Sequence, residues 1–323
     1  MDLLKLKHFL AGLLLAAPLA VLAQPYPSRP LRIVSPYPPG GSTDIVSRLI
    51  APKLSAAMGQ PVIVENRAGA AGAIGADVVA KAAPDGYTLL LTTPGTHTSI
   101  QFVARSVPYD PIRDFTPVTA AATQSGLWLV NAAIPARTLK ELVEYGRRNP
   151  GKLAYGTAGV GSSFHIMGEI IRLTTGMDMV HVPYKGGAPV AQAIASGEVP
   201  MVLLSNTSGI TAVKSGKALP IAVLSDKRLP ELPDAPLIGD LMPGVERPGD
   251  WLGIYAPGGL PVPILSRMHG EIVAALHLTD VVTGLRNTGM EPVGNTPEQF
   301  AAMVRRDIEL YRKMVPIAGI KPE

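Results

Sequence analysis

The feature that most constrains this chain is a unit that occurs twice: a short apolar strand, a glycine-rich turn without a cation, then an amphipathic helix. In the later copy Lys152–Tyr155 follows Pro150-Gly151, and the turn YGTAGVGSSFH runs from Tyr155 to His165. Ser162 stands at a helix N-cap, and Glu169, Ile170 and Leu173 carry the helix onward. The first turn of a helix has N–H groups with no intrahelical partner, and they lie at the positive end of its dipole. An anion is therefore favoured there without Lys or Arg. In the earlier copy Leu31–Ser35 is the strand and Pro36-Tyr37-Pro38-Pro39-Gly40-Gly41 is the turn. Ser42-Thr43-Asp44 then opens a helix bearing Ile45, Leu49 and Leu54. One such turn is ordinary in any α/β protein; two facing one cleft would make a site for a small anion.

Strand and helix patterns alternate from Gln24 onward, which predicts α/β architecture with mostly parallel sheets flanked by helices. Early strands are expected at Leu31–Ser35, Val62–Glu65 and Thr88–Thr92, the last leading into another strand-to-helix turn at Thr93–Thr98. Three strand ends on one side of a sheet aim their loops at a single crevice. Extended chain at Val118–Thr123 and Leu127–Val130 reads as a crossing into a second α/β unit, and Ile221–Leu224 as the return. Between them lie helix Leu139–Arg148, strand Met179–Val182, helix Ala188–Ala195, strand Met201–Leu204 and helix Ile210–Lys214. Strand Trp251–Tyr255 and two helices, Ile264–Leu276 and Pro297–Val315, complete the chain. Its 323 residues suffice for two domains. The expected division is a discontinuous domain I, residues 24–123 plus 225–323, with domain II, residues 124–224, inserted in it.

Residues 1–23 read as an export signal. Lys5, Lys7 and His8 are basic, Phe9–Ala20 is apolar, and Val21-Leu22-Ala23 is a small-residue cleavage pattern, so release after Ala23 into the periplasm is expected. The chain has no cysteine, which removes lipid anchoring, disulfides, thiolate metal sites and thiol nucleophiles together. Its formal charge of +4 is scattered and not interleaved with aromatics, so no nucleic-acid partner is expected.

Catalytic signatures are missing. Ser163 has Gly161 before it but His165 where a nucleophile elbow needs glycine; there is no phosphate-binding loop and no zinc-protease motif. Gly159-Val160-Gly161 starts like a dinucleotide turn but has Phe164 in place of the third glycine. No catalytic residue, cofactor or metal is assigned. His165 and Glu169, at i and i+4, have the spacing of a metal pair or of a base and its orienter. The reading adopted is that His165 hydrogen-bonds into the loop beside Ser162, and that Asp44 satisfies first-turn donors. Tyr37, Tyr184 and Trp251 are candidates either for lining a pocket or for packing.

Several motifs in fixed order carry a family resemblance. They are Tyr26-Pro27 with Pro30-Leu31-Arg32-Ile33-Val34, Pro38-Pro39-Gly40-Gly41 with Asp44, Val64-Glu65-Asn66-Arg67-Ala68-Gly69 and Pro84-Asp85-Gly86-Tyr87-Thr88-Leu89. Asn149-Pro150-Gly151-Lys152, Gly159-Val160-Gly161-Ser162 with His165, and His181-Val182-Pro183-Tyr184-Lys185-Gly186 follow. Over nearly the whole mature chain this resembles the periplasmic solute receptors of tripartite tricarboxylate transporters, the Bug or TctC-like receptors. The resemblance implies a type II periplasmic-binding-protein fold, a two-domain flytrap that closes on a small carboxylic acid and delivers it, as a monomer, to membrane permease subunits. It also implies that backbone N–H groups and ordered water at Pro39–Ser42 and Thr157–Ser163 hold the carboxylate. With the reading of the residues themselves, the candidate ligand site is Tyr37, Pro39, Gly40, Gly41, Ser42, Asp44 and Thr93 from the first domain. The second supplies Thr157, Ala158, Gly159, Gly161, Ser162, Ser163, His165, Tyr184 and Asn206. Where the family often has Met-Phe, this chain has Leu203-Leu204-Ser205-Asn206, and Thr93–His97 is variable ground, so which acid is bound stays open. A receptor presenting its ligand to a sensor kinase would use the same pocket; a periplasmic hydrolase is the remaining alternative.

Overall fold

A computed structural model describes residues 26–322; the expected export signal and its cleavage point lie outside them. Strands β1 (Leu31–Ser35), β2 (Val62–Asn66) and β3 (Thr88–Thr92) alternate with helices α1 (Ser42–Met58) and α2 (Ala73–Ala80). β1 pairs in parallel with both β2 and β3. Continuous apolar runs suit such central strands, which are covered on both faces: Ile33, Val34, Leu89, Leu90 and Leu91 are all buried. Past β3 a short π-helical turn, Gly95–Ser99, runs directly into α3 (Ile100–Val103).

The chain crosses between lobes through β4 (Phe115–Gln124) and β5 (Gly126–Asn131), with Ser125 alone between them. The second lobe adds α4 (Leu139–Arg148), β6 (Leu153–Thr157), α5 (Ser163–Thr175), β7 (Met179–Pro183), α6 (Gly187–Ser196), β8 (Met201–Ser205), α7 (Asn206–Lys214), β9 (Ala218–Leu224) and α8 (Ile238–Leu241). The return passes through β10 (Trp251–Pro257), followed by α9 (Val262–Leu276), α10 (Thr279–Arg286), β11 (Met290–Pro292) and α11 (Pro297–Ala318). The first sheet has the order β11-β4-β10-β3-β1-β2 and the second β7-β6-β8-β5-β9.

The two-lobed α/β fold is as expected, but the sheets are mixed, not mostly parallel. β10 runs antiparallel to β3 and β4, β11 antiparallel to β4, and β5 antiparallel to β8 and β9. Parallel neighbours require a crossover connection. The parallel pairs are those joined through helices, whereas β4, β5, β9 and β10 lie next to the two interlobe crossings.

Besides β11 and the short helices α3 and α8, two stretches differ from the sequence expectation. Three helices follow β10: α10 went unread because it has eight residues with Gly284 inside, and a Cβ there would stand 2.7 Å from the Leu49 side chain of α1. The stretch between β9 and β10 packs with the second lobe, with Ile238 and Met242 in one of its cores and Leu229 and Ala235 in the other. The C-terminal helix α11 begins with the capping box of Thr296 and Gln299, and its Phe300, Val304 and Ile308 stripe docks on Trp251 and Tyr255 of the first lobe. Its last turns continue past that lobe. Tyr311, Met314 and Val315 form a small core with Val103 of α3 and Ile166 of α5, so one helix is packed into both lobes. Among the described residues no helix is long and apolar enough to span a membrane.

Candidate functional site

The two glycine-rich turns border one cavity, and each touches the other lobe. Pro38 lies against Gly186 and Gly95 against Ser162, and Ser99 Oγ donates to the Gly161 carbonyl across the interlobe boundary. Between them is a cavity of about 70 Å³. One water needs roughly 10–15 Å³ on such a measure, so the space suits a few waters or a small molecule.

Helix N-termini furnish its walls. α1 starts at Gly41 and α6 at Gly186, and neither has a side-chain cap, so their first N–H groups have no partner within the helix. α5 is capped by Ser162, whose hydroxyl accepts only from the His165 N–H at 3.2 Å, which leaves Ser163 and Phe164. The fourth helix end at the cavity, α7, is closed: Asn206 N–H donates to the Ser125 carbonyl at 2.7 Å and Ser208 N–H to Ser205 Oγ. Gly41, Ser42 and Thr43 from the first lobe thus face Ala158, Ser162, Ser163 and Gly186–Ala188 from the second across one cavity. Three dipole ends with free donors favour an anion.

Of the residues anticipated from sequence, Tyr37, Gly41, Ser42, Thr93, Ala158, Ser162 and Ser163 line the cavity. Tyr37 is fixed by hydroxyl contacts to Thr96 Oγ1 at 2.6 Å and Thr93 Oγ1 at 3.1 Å, and burial raises its pKa. The others stand behind the wall. Gly40, with φ of +84°, donates its N–H to Asp44 Oδ2 at 3.0 Å and so is not free for a ligand. Asp44 is buried, and burial alone would raise its pKa. Hydrogen bonds from Arg48, Gly40 and Asn66 outweigh that and hold it below the ordinary carboxylate value. Pro39 is exposed, and Pro38 takes its place on the wall.

The second turn is supported by imidazoles. Gly161 N–H donates to His165 Nδ1 at 3.0 Å, the loop bond expected of this residue. His165 stacks on His181 with ring centroids 3.8 Å apart, and His181 Nε2 lies 2.7 Å from Thr157 Oγ1. Burial pushes His165 down to about 4 and His181, with His165 beside it, to about 3, so both rings are neutral near pH 7. Thr157 and Gly159 hold each other within the loop: the Thr157 hydroxyl donates to the Gly159 carbonyl at 3.2 Å. Tyr184 points its hydroxyl at Glu198 Oε1, 2.8 Å away, and not into the cavity. Asn206 is buried against Gly289 of the first lobe. Neither lines the cavity: the Tyr184 hydroxyl is engaged by Glu198, and the Asn206 amide is buried with no hydrogen-bond partner.

Sequence reasoning missed Gln124, Lys185, Gly186–Pro189, Ser205, Ser208 and Asp250 on the cavity wall. Gly186-Gly187 after a strand was a readable signal of the same kind as the two turns. Gln124 and Asp250 had none, because their importance comes from lying at the two crossings. Gln124 Nε2 donates to Asp250 Oδ1 at 3.2 Å, and Gln124 N–H to the Asp250 carbonyl at 3.0 Å. Among the described residues no group of side chains has a metal-binding arrangement.

A cavity between two α/β lobes, walled by helix N-termini from both, defines a two-lobed solute-binding protein. The chain belongs to the tripartite tricarboxylate transporter receptor family, whose model matches residues 46–319. It is 32% identical to protein BugT of Bordetella pertussis over 97% of this chain and 96% of that protein. Among solved structures it is similar to R. palustris Rpa4515 with adipate, with a TM-score of 0.87 and 34% identity over 92% of this chain and 100% of that one. It is also similar to MatC from Rhodopseudomonas palustris with bound malate, with a TM-score of 0.84 and 31% identity over 90% of this chain and 100% of that one.

Proposed function

We propose that this protein is an extracytoplasmic receptor that captures one small carboxylic acid between its lobes and hands it to the membrane subunits of a tripartite tricarboxylate transporter. The observation that carries the reading is the convergence of unpartnered helix N-termini from α1, α5 and α6 on one cavity, whose wall also carries the cation Lys185. A hydrogen bond to a charged group contributes about 1.5–3 kcal/mol, and several of them in a water-poor cleft suffice for micromolar binding or better. The adipate and malate of the two related structures support a carboxylate as the anion.

On this reading Gly41, Ser42, Ser163 and Phe164 give main-chain donors, and Ser162 and Tyr37 shape the wall. Asp44, His165 and Thr157 hold the turns in place. The protein binds and releases without turnover; the hydroxyl that meets an imidazole in the second turn, Thr157 at 2.7 Å from His181 Nε2, is buried and does not line the cavity, and His165 is committed to the Gly161 N–H. We place the lobe boundaries at Ser125 and near Arg247–Asp250, where the main chain passes between sheets, with residues 225–245 in the second lobe. Export with cleavage after Ala23 completes the proposal and puts the chain in the periplasm as a monomer.

The test is a melting-temperature screen of the chain from Gln24 onward against mono-, di- and tricarboxylic acids, followed by calorimetry. Ligand that binds only the folded state raises the melting temperature in proportion to the logarithm of its concentration over Kd. A shift with at least one carboxylate and none with its methyl ester is expected. If no acid shifts the transition, or if esters shift it equally, the anion site is wrong.

A further inference from the structure

Helix N-termini offer only donors, yet one part of the cavity wall offers the opposite. Asp250 sits just before β10 and Gln124 ends β4, so the pair occupies the two strands that carry the chain between lobes. Their one mutual side-chain bond, Gln124 Nε2 to Asp250 Oδ1, leaves Asp250 Oδ2 and Gln124 Oε1 out of contact with solvent and without a hydrogen-bond partner. Both residues line the cavity, and Asp250 also lines a smaller apolar recess beside Phe164, Met167 and Leu224 that adjoins it. A buried acceptor with no donor costs about 1–3 kcal/mol. Two of them side by side, next to a cavity, are satisfied by a ligand that brings donors.

We propose that Asp250 and Gln124 are the specificity pair of the receptor. They accept hydrogen bonds from a hydroxyl, amide or ammonium group on the bound acid, and so select carboxylic acids that carry such a donor over acids with a second ionised carboxylate in its place. The inference rests on the reading of the cleft as a carboxylate site and adds what the rest of the ligand must be. A site built to pair with a donor rejects the analogue that lacks it, because its own buried groups are then left unpaired. The groups around Asp250 pull in both directions. Burial pushes its carboxyl up to about 7 against the pull of Gln124 and Arg247, and Asp307 on α11 raises it further. Tyr37 and Tyr311, which also face it, bring no positive charge. Arg247, the cation beside Asp250, is engaged by Asp226 at 2.9 Å, so a second carboxylate arriving here would meet Asp250 and Asp307 with that arginine already paired.

The experiment compares matched acids of three to eight carbons by calorimetry at pH 7.5: at each length the α,ω-dicarboxylate, the ω-hydroxy acid, the ω-amide and the ω-amino acid. Wild-type protein should bind its best donor-bearing acid at least tenfold more tightly than the dicarboxylate of the same length. In Asp250→Asn, whose isosteric amide keeps the packing, the ratio should fall below threefold; in Gln124→Glu it should move further toward the amino acid. Melting curves of each variant check that it is folded. A dicarboxylate that binds as tightly as its donor-bearing partner, or a preference unchanged in Asp250→Asn, overturns the proposal while leaving the carboxylate site standing. Failure of every acid in the series to bind wild-type protein overturns both.

Discussion

The two turns that bracket the cleft present the same backbone donors but are held by opposite means. Under the β1–α1 turn lies an ionised carboxylate: Asp44 accepts from Gly40 N–H, from Arg48 and from Asn66, whose amide also reaches the Tyr37 carbonyl. Under the β6–α5 turn lie two uncharged imidazoles, His165 accepting from Gly161 and His181 stacked beneath it. The first turn borders solvent, where Arg48, more than half exposed, offsets the buried negative charge. The second faces the other lobe, where a charge would have to be buried, and neutral acceptors fix the loop at a lower desolvation cost. An anion-binding turn thus needs a firm acceptor behind it, and burial decides whether that acceptor carries charge.

The largest effect expected from testing this contrast is at Gly161. Its φ of +74° disfavours any side chain, and a Cβ there would overlap the Val103 side chain. Backbone strain and overpacking each cost about 1–3 kcal/mol. Gly161→Val should therefore abolish ligand binding and lower the melting temperature, whereas Gly40→Val, with φ of +84° and no neighbour within 4 Å, should lose less of both. Equal losses by calorimetry would break the asymmetry between the turns.

Acid comes next. His165 and His181 have folded-state pKa values depressed to about 4 and about 3, so the unfolded chain binds more protons than the folded one once pH drops below the ordinary histidine value. Their contribution is complete above about pH 6.5 and is lost as pH falls toward 4. Asp44, also depressed, keeps its contribution through that window and gives it up only below the ordinary aspartate value. Urea midpoints measured from pH 7 to 4 should decline, and His181→Gln should flatten the decline. An unchanged slope in that variant would mean the imidazoles are not what senses acid.

Smaller effects separate the acceptors themselves. Asp44→Asn removes charge-assisted bonds from a buried position and should cost about 1.5–3 kcal/mol by urea denaturation at pH 7. Ser162→Ala removes the α5 cap and should cost about 1 kcal/mol. A Ser162→Ala variant less stable than Asp44→Asn would reverse the order of the two supports.

The turns were legible because their signals are local. Ser162 as N-cap, the loop bond of His165 and the docking stripe Phe300, Val304 and Ile308 all follow from spacing within one element. That Asp44 satisfies backbone donors is also readable from its place in the first turn; that the donor is the Gly40 N–H, which takes that group away from a ligand, is not. Tyr184 read as a pocket aromatic until Glu198, fourteen positions on, claimed its hydroxyl. The mixed sheets escaped for a similar reason: alternation of strand and helix sets the sequence of elements, and strand direction depends on which crossing feeds each one.

Local periodicity and glycine placement determined by themselves that this chain makes two α/β units, each with a glycine-rich turn that opens a helix and has no cation of its own. Only tertiary structure decided which helix ends stay open, adding α6 and closing α7. Tertiary structure alone also set Gln124 against Asp250, 126 positions apart, at the strands between lobes. Helix starts and strand runs are written in neighbouring residues; an unpaired buried acceptor exists only when distant segments exclude water from it together.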